Sequence, residues 1–282
     1  MKKILVTGAT GFIGNYVIEE LLKKGCTVIA TSVNETKAKE KNWFGKVLYV
    51  PFDLKDFDEH TNYQKYFNDP GAIIHLAWEG LPNYKAAFHT EENLPRHFKF
   101  IKNLVDHGQK DITVTGTCFE YGMQQGCLNE AMPAKPANAY AVAKDSLRQQ
   151  LQQLQQEHEF YFKWVRLFYM YGAGQHPNSL LSQLDRALEE GETVFNMSGG
   201  EQVRDYLPVE KVAGYIVAVA LQHHVTGIIN CCSGKGITVK DLVKDYLKDK
   251  NKYITLNTGY YPYPDHEPMC FWGDNTKLNE IL

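Results

Sequence analysis

Nowhere does an apolar run approach the ~18 residues that a membrane-spanning helix needs, so no membrane partner is expected. The opening MKKILVTG has the paired lysines of a secretory signal, but its apolar stretch ends at Gly8. An unprocessed cytoplasmic protein is the expectation. A basic excess is also missing: the formal charge is −3, the pI is near 6.4, and no Lys/Arg cluster alternates with aromatics. Nucleic acid is therefore not an expected partner. The six cysteines (26, 118, 127, 231, 232 and 270) include no C-x-x-C, and the ten histidines no H-x-x-x-H. Reduced structural thiols and no metal site are expected. His223 and His224 are neighbours whose rings would point apart on either a helix or a strand.

What is present is an ordinary globular composition, 44 % hydrophobic and 22 % charged over 282 residues, enough for one large core or two smaller ones. KKILVTG reads as a buried strand, GNYVIEELLKKG as a helix with Val17, Ile18, Leu21 and Leu22 on one face, and CTVIATS as a second strand. Strand-like runs return at KVLYVPFD, GAIIHLAW, DITVTGT, FKWVRLFYMYG and GIINCCS, with helical patterns between most of them. This alternation predicts an α/β fold, a Rossmann-type doubly wound parallel sheet. From about Gly172 the rhythm loosens through AGQHPNS, NMSGGEQ, GKGIT and GYYPYPDHEPM, which predicts a smaller C-terminal substrate-binding lobe sharing some elements with the sheet. The expected division is 1–166 for the dinucleotide half and 167–282 for the lobe. In RQQLQQLQQEHEF and the residues before it, Leu147, Leu151 and Leu154 form one apolar stripe on a glutamine-rich helix. That stripe suits either a buried face of a solvated helix or, more pointedly, contact with a second subunit.

TGATGFIG, between the first strand and its helix, carries Gly8, Gly11 and Gly14 at the spacing that lets backbone N–H groups approach a pyrophosphate. Phe12 and Ile13 complete this candidate cofactor turn. An acidic residue after the second strand would accept a hydrogen bond from the ribose 2′-hydroxyl of NAD; here the positions are Thr31, Ser32 and Asn34. The missing carboxylate favours NADP(H), with NAD(H) as the alternative. Ser32 can donate to a 2′-phosphate and Lys37 or Lys39 can add charge, while Asp53 and Leu54 are placed to meet the adenine.

In AYAVAKDSL, Tyr140 and Lys144 are four apart, on one face of a helix. A phenol titrates near ~10 and needs a neighbouring ammonium to act near neutral pH, so this pair supplies an acid/base and its tuner. Upstream, TVTGTCFEYG ends a predicted strand in hydroxyls, where parallel sheets bind ligands.

With TGATGFIG, Asp53-Leu54, HLAW, TGTCFEYG, YAVAK, RLFYMYG and VRDYLPVEKVA in order along nearly the whole chain, the sequence resembles the extended short-chain dehydrogenase/reductase family, and within it the nucleotide-sugar epimerases, dehydratases and reductases. The resemblance implies that Thr117 hydrogen-bonds the reacting oxygen and that Tyr140 is the proton donor or acceptor. It implies that Lys144 holds the nicotinamide ribose and lowers the Tyr140 pKa, and that Leu76 and Ala77 line the adenosine side. Arg204 would grip the substrate diphosphate, with Asn178 facing the same ligand; a surface ion pair of Arg204 with Asp205 or Glu201 is the plainer reading. It also implies a homodimer built from the Tyr-x-x-x-Lys helix and NLPRHFKFIKNLVDHG.

The sequence departs from the family in informative places. Dehydratases follow the threonine with Asp and Glu, but Cys118 and Phe119 stand here, and Glu120 lies one position too far to replace them. Tyr169 stands where many relatives carry an asparagine that touches phosphate. The expected reaction is NADPH-dependent reduction of the C4 ketone of a dTDP- or CDP-linked 4-keto-6-deoxyhexose, for surface polysaccharide. An NAD-dependent 4-epimerase is the alternative, and a non-catalytic dinucleotide sensor is a third.

Overall fold

The computed structural model describes residues 2–263 and 267–282. Seven parallel strands, numbered along the chain, form the central sheet: β1 (Lys3–Thr7), β2 (Thr27–Thr31), β3 (Leu48–Tyr49), β4 (Ala72–His75), β5 (Asp111–Thr117), β6 (Tyr161–Leu167) and β7 (Gly227–Cys231). Their order across the sheet is β3-β2-β1-β4-β5-β6-β7. From β1 the chain winds outward through β2 to β3, then returns to start again at β4 on the other side of β1. The turns leaving β1 and β4 therefore diverge, opening a crevice at their carboxyl ends, where doubly wound sheets hold their ligands.

Alternation along the strands divides two cores. Ile4 and Val6 face helices α1 (Phe12–Lys23) and α5 (Val209–Leu221), which contribute Val17, Ile18, Ile216 and Val217. Leu5 and Ile73 face the opposite layer, where Phe100, Ile101 and Leu104 of α2 (Leu94–Asp106) meet Leu147, Leu151 and Leu154 of α3 (Ala139–Glu157). The leucine stripe of the glutamine-rich helix is thus spent inside the chain. It packs on the sheet and α2 and gives no argument for contact with a second subunit.

FKWVRLFYMYG reads as one strand but forms two. β6 stops at Leu167, and Tyr169–Tyr171 pairs instead with Tyr206–Pro208. Phe168 between them is drawn into a separate apolar cluster with Cys118, Tyr121, Leu128 and Phe271, which turns the chain out of the sheet. Beyond this point α4 (Leu180–Glu189) and α6 (Val239–Asp249) build their own core around Leu184, Phe195, Val243, Leu247 and Ile254. The same stretch sends α5 and β7 back to the main sheet. All six cysteines are free thiols. Among the described residues no helix is long and apolar enough to cross a membrane, and no cluster of His, Cys, Asp and Glu could hold a metal ion.

Candidate active site

β1 ends at Thr7 and the chain reverses at Gly8, whose φ of +69° suits glycine. A Cβ on Gly8 would come 2.9 Å from the Ala77 nitrogen, and one on Gly14 would overlap the Gly8 carbonyl. The helix is packed as tightly against the turn as three glycines allow. No side chain caps the first turn of α1, which leaves its N–H groups directed at the crevice. These features fit a dinucleotide pyrophosphate: a backbone cradle kept bare of side chains, at the positive end of a helix dipole.

Thr7 locks β1 to β4. Its oxygen accepts the Leu76 and Ala77 N–H groups, each at 3.2 Å, so its own proton goes to His75 Nδ1 at 2.9 Å. His75 then donates from Nε2 to His97 Nδ1 at 2.7 Å. Burial depresses both rings, His75 to about 3, and they stay neutral.

Two adjoining clefts meet along Gly8, Gly11, Leu76 and Trp78. The first, about 400 Å³, is also lined by Ser32, Lys37, Leu54 and Ala77. The second, about 500 Å³, takes in Phe12, Ile13, Gly14, Tyr84 and Asn178. Asp53 does not share the first cleft with Leu54. It caps the turn after it by accepting the Lys55 N–H at 2.9 Å, and it faces a neighbouring groove. At Ser32 the Tyr49 hydroxyl donates to the Ser32 carbonyl at 2.9 Å, so the Ser32 hydroxyl donates to Tyr49 and turns only lone pairs to other partners.

Thr117, Tyr140 and Lys144 come together beside the second cleft, all buried. Asn138 caps α3 through the Ala141 N–H at 2.9 Å, and the Tyr140 N–H donates to the Tyr84 carbonyl at 3.0 Å, which fixes the phenol at the start of the helix. Burial pushes the Tyr140 phenol up, helped by Tyr84, Glu120 and Cys118; the Thr117 hydroxyl pulls it down. One turn on, Lys144 donates to the Thr115 carbonyl at 2.9 Å and rests 4.1 Å above the Trp78 ring. Burial brings its pKa down to about 7, against the pull of Glu120.

Sequence reasoning assigned no role to the ring of aromatics around this trio. Trp78 and Tyr84 line the second cleft and pack against Tyr140 at 6.0 and 5.6 Å between ring centres. Trp78 is held in place by stacking on His97 at 4.6 Å and by donating to His89 Nδ1 at 3.1 Å. The tryptophan at the end of HLAW was the available signal. The histidines gave none, because His89 enters a π-helical turn, His89–Asn93, that no periodicity announces.

Arg204 lies outside both cleft linings. It pairs with neither Asp205 nor Glu201 but with Glu267, through Nη2 at 3.0 Å and Nε at 3.2 Å. Tyr169 donates to the same carboxylate oxygen at 2.6 Å, and the Arg204 guanidinium lies 4.6 Å over Phe271. Asp205 instead accepts the N–H groups of Ser233, Gly234 and Gly273. Position 169 is therefore joined to the candidate diphosphate arginine through one shared carboxylate.

The model of the NAD dependent epimerase/dehydratase family matches residues 4–232. The chain belongs to that family. It is 28 % identical to a dTDP-6-deoxy-L-talose 4-dehydrogenase (NAD(+)) of Aggregatibacter actinomycetemcomitans, across 96 % of this chain and 98 % of that one. It is 27 % identical to a UDP-glucose 4-epimerase of Bacillus subtilis, across 99 % and 91 %. Among solved structures, a UDP-N-acetylglucosamine 4-epimerase from Methanobrevibacter ruminantium in complex with UDP-N-acetylmuramic acid superposes with a TM-score of 0.85, at 22 % identity over 99 % of this chain and 91 % of that one. That likeness shows the family's fold.

Proposed function

We propose that the protein exchanges hydride at C4 of a nucleotide-linked 6-deoxyhexose, working as a reductase of the 4-keto sugar. The observation that carries the reading is the assembled trio Thr117, Tyr140 and Lys144 without a carboxylic acid to remove water. Cys118 and Phe119 follow the threonine, and the Glu120 carboxylate is bound to Arg166 at 2.7 Å. A relative named as a 4-dehydrogenase of a dTDP-6-deoxyhexose supports the same carbon and sugar class. A nicotinamide dinucleotide, when bound, supplies the hydride. Tyr140 gives its proton to the C4 oxygen as negative charge develops there, Thr117 holds that oxygen, and the Lys144 ammonium steadies the phenolate. Arg204 is assigned to the diphosphate, for which it has to give up its contacts with Glu267, and Asn178 in the second cleft to the same nucleotide. We take residues 1–166 as the cofactor half and 167–282 as the sugar-nucleotide half, which lends α5 and β7 to the sheet. We also propose a homodimer through the outward faces of α2 and α3, to be tested by light scattering.

For the cofactor we propose NADPH, because Lys37 lines the first cleft and no carboxylate stands on the β2 end to repel a 2′-phosphate. NADH is the second reading, favoured by Ser32, whose lone pairs suit a ribose hydroxyl, and by the relative named for NAD(+). A 4-epimerase, the activity named for two of the relatives, would turn the substrate over with no net use of cofactor. One experiment separates these readings. A panel of dTDP-, CDP-, GDP- and UDP-linked 4-keto-6-deoxy sugars is offered with NADPH and NADH side by side, following nicotinamide absorbance and product NMR. Unchanged absorbance with every substrate overturns the reductase reading.

A further inference from the structure

Glu120 turns away from both clefts and is completely buried behind the end of β5. Three donors converge on its carboxylate. The Thr117 N–H reaches Oε1 at 2.9 Å, the Trp164 indole N–H spans both oxygens at 3.0 and 3.1 Å, and Arg166 Nε meets Oε2 at 2.7 Å. Trp164 and Arg166 are two apart on β6 and so project from one face of the sheet. Gly116 leaves the room for this arrangement, since a Cβ there would overlap the Trp164 indole nitrogen and Glu120 Oε1.

This pair is poorly built for stability alone. Arg166 engages Glu120 through Nε rather than through its fork, and Nη1 and Nη2 have no hydrogen-bond partner among the described residues, the guanidinium lying instead 4.4 Å from the Tyr121 ring centre. A dry ion pair of this kind is commonly matched or bettered by apolar residues of similar volume. What the carboxylate does that an apolar residue cannot is bind the peptide N–H of Thr117, whose side chain in turn caps the next turn through the Phe119 N–H at 3.3 Å. We propose that Glu120, anchored by Arg166 and Trp164, is a positioning residue that fixes the Thr117 main chain so that its hydroxyl meets the reacting oxygen beside Tyr140. The inference rests on the reading of Thr117 as catalytic.

The test is a double-mutant cycle on kcat, KM and Tm between Thr117→Ala and the apolar replacement Glu120→Leu with Arg166→Met, which removes the acceptor of the Thr117 N–H without stranding the guanidinium. The apolar replacement is expected to lower kcat about tenfold or more at nearly constant KM, the size of effect a small misplacement of a reacting group produces. In the Thr117→Ala background the same change should then cost nothing further, because the hydroxyl it positions is gone. An equal loss in both backgrounds, or unchanged kcat in the apolar replacement, overturns the proposal while leaving Thr117 catalytic. Full activity in Thr117→Ala alone overturns the catalytic reading itself, and the proposal with it. If the apolar replacement does not fold, Glu120→Met with Arg166→Leu enters the same cycle.

Discussion

At the amino ends of β5 and β6, Asp111 meets Lys163 at 2.5 Å; at their carboxyl ends, Glu120 meets Arg166 at 2.7 Å. A buried ion pair thus sits at each end of these two strands, Glu120 standing in the turn that follows β5, yet the surroundings differ. Asp111 also accepts from Lys2 at 2.6 Å and from His223 at 2.8 Å, both partly exposed, and Lys163 donates onward to the Gln222 carbonyl at 3.1 Å. Every charge there is answered, and water reaches the rim. The Glu120 pair is dry, leaves two guanidinium nitrogens without a hydrogen-bond partner among the described residues, their plane resting 4.4 Å from the Tyr121 ring centre instead, and spends one carboxylate contact on the main chain of Thr117. Satisfied charge marks the end of the sheet that only has to hold together. Imperfectly satisfied charge sits at the end that has to hold a geometry.

The largest expected effect lies at the carboxyl end. On the proposed reading Tyr140→Phe removes the proton donated to the C4 oxygen and should lower kcat by ~10²–10⁴, with dinucleotide affinity and Tm close to wild type. A protein that loses its fold instead would show that the phenol serves packing, and the contrast between the two ends would fail. At the amino end the outcome should be reversed. Lys163→Met takes away the most buried of three partners of Asp111, leaving Lys2 and His223 on the carboxylate, and should cost ~1.5–3 kcal/mol in urea unfolding, with kcat unchanged where the protein remains folded. A fall in kcat at full occupancy of the folded state would mean that the amino end also reaches the chemistry.

The same contrast explains how much was legible in the sequence. The glycine turn and the Tyr140–Lys144 pair are local, written in spacings of three and four along single elements, and periodicity suffices to place them. The Rossmann order follows from alternation of strands and helices. What stayed hidden depends on register between distant segments. Glu120 finds Arg166 only because β5 and β6 align Gly116 with Arg166, and no spacing in the chain announces that. Likewise the break at Phe168 is set by an apolar cluster drawn from residues 118 to 271, so a continuous apolar run was read as one strand.

The smallest effect is the most specific to this site, and it concerns pH. Asp111 is pushed up by burial but pulled further down by Lys163, Lys2 and His223, so its net pKa lies below the ordinary value. A depressed carboxylate gives stability that is present above the ordinary carboxylate range and lost as pH falls through the folded pKa. Lys144 is depressed as well, so its slope has the same sign, but in a higher pH window and for the opposite reason: its charged form is penalised by burial rather than favoured by partners. Burial lowers it to about 7, so between about 7 and its ordinary 10.5 the unfolded chain binds more protons than the folded one, and stability rises with pH across that window. Below about 7 the cost of burying the ammonium is present in full. Lys144→Met should therefore abolish turnover yet raise stability near neutral pH by about 1 kcal/mol after loss of the Thr115 bond, and that gain should shrink as pH climbs toward the lysine range. Chemical denaturation at a series of pH values measures both slopes. A Lys144→Met protein that is less stable at neutral pH, or a wild-type lysine signal titrating near 10.5 by NMR, would make this lysine an ordinary structural cation, and the carboxyl end would no longer differ from the amino end in kind.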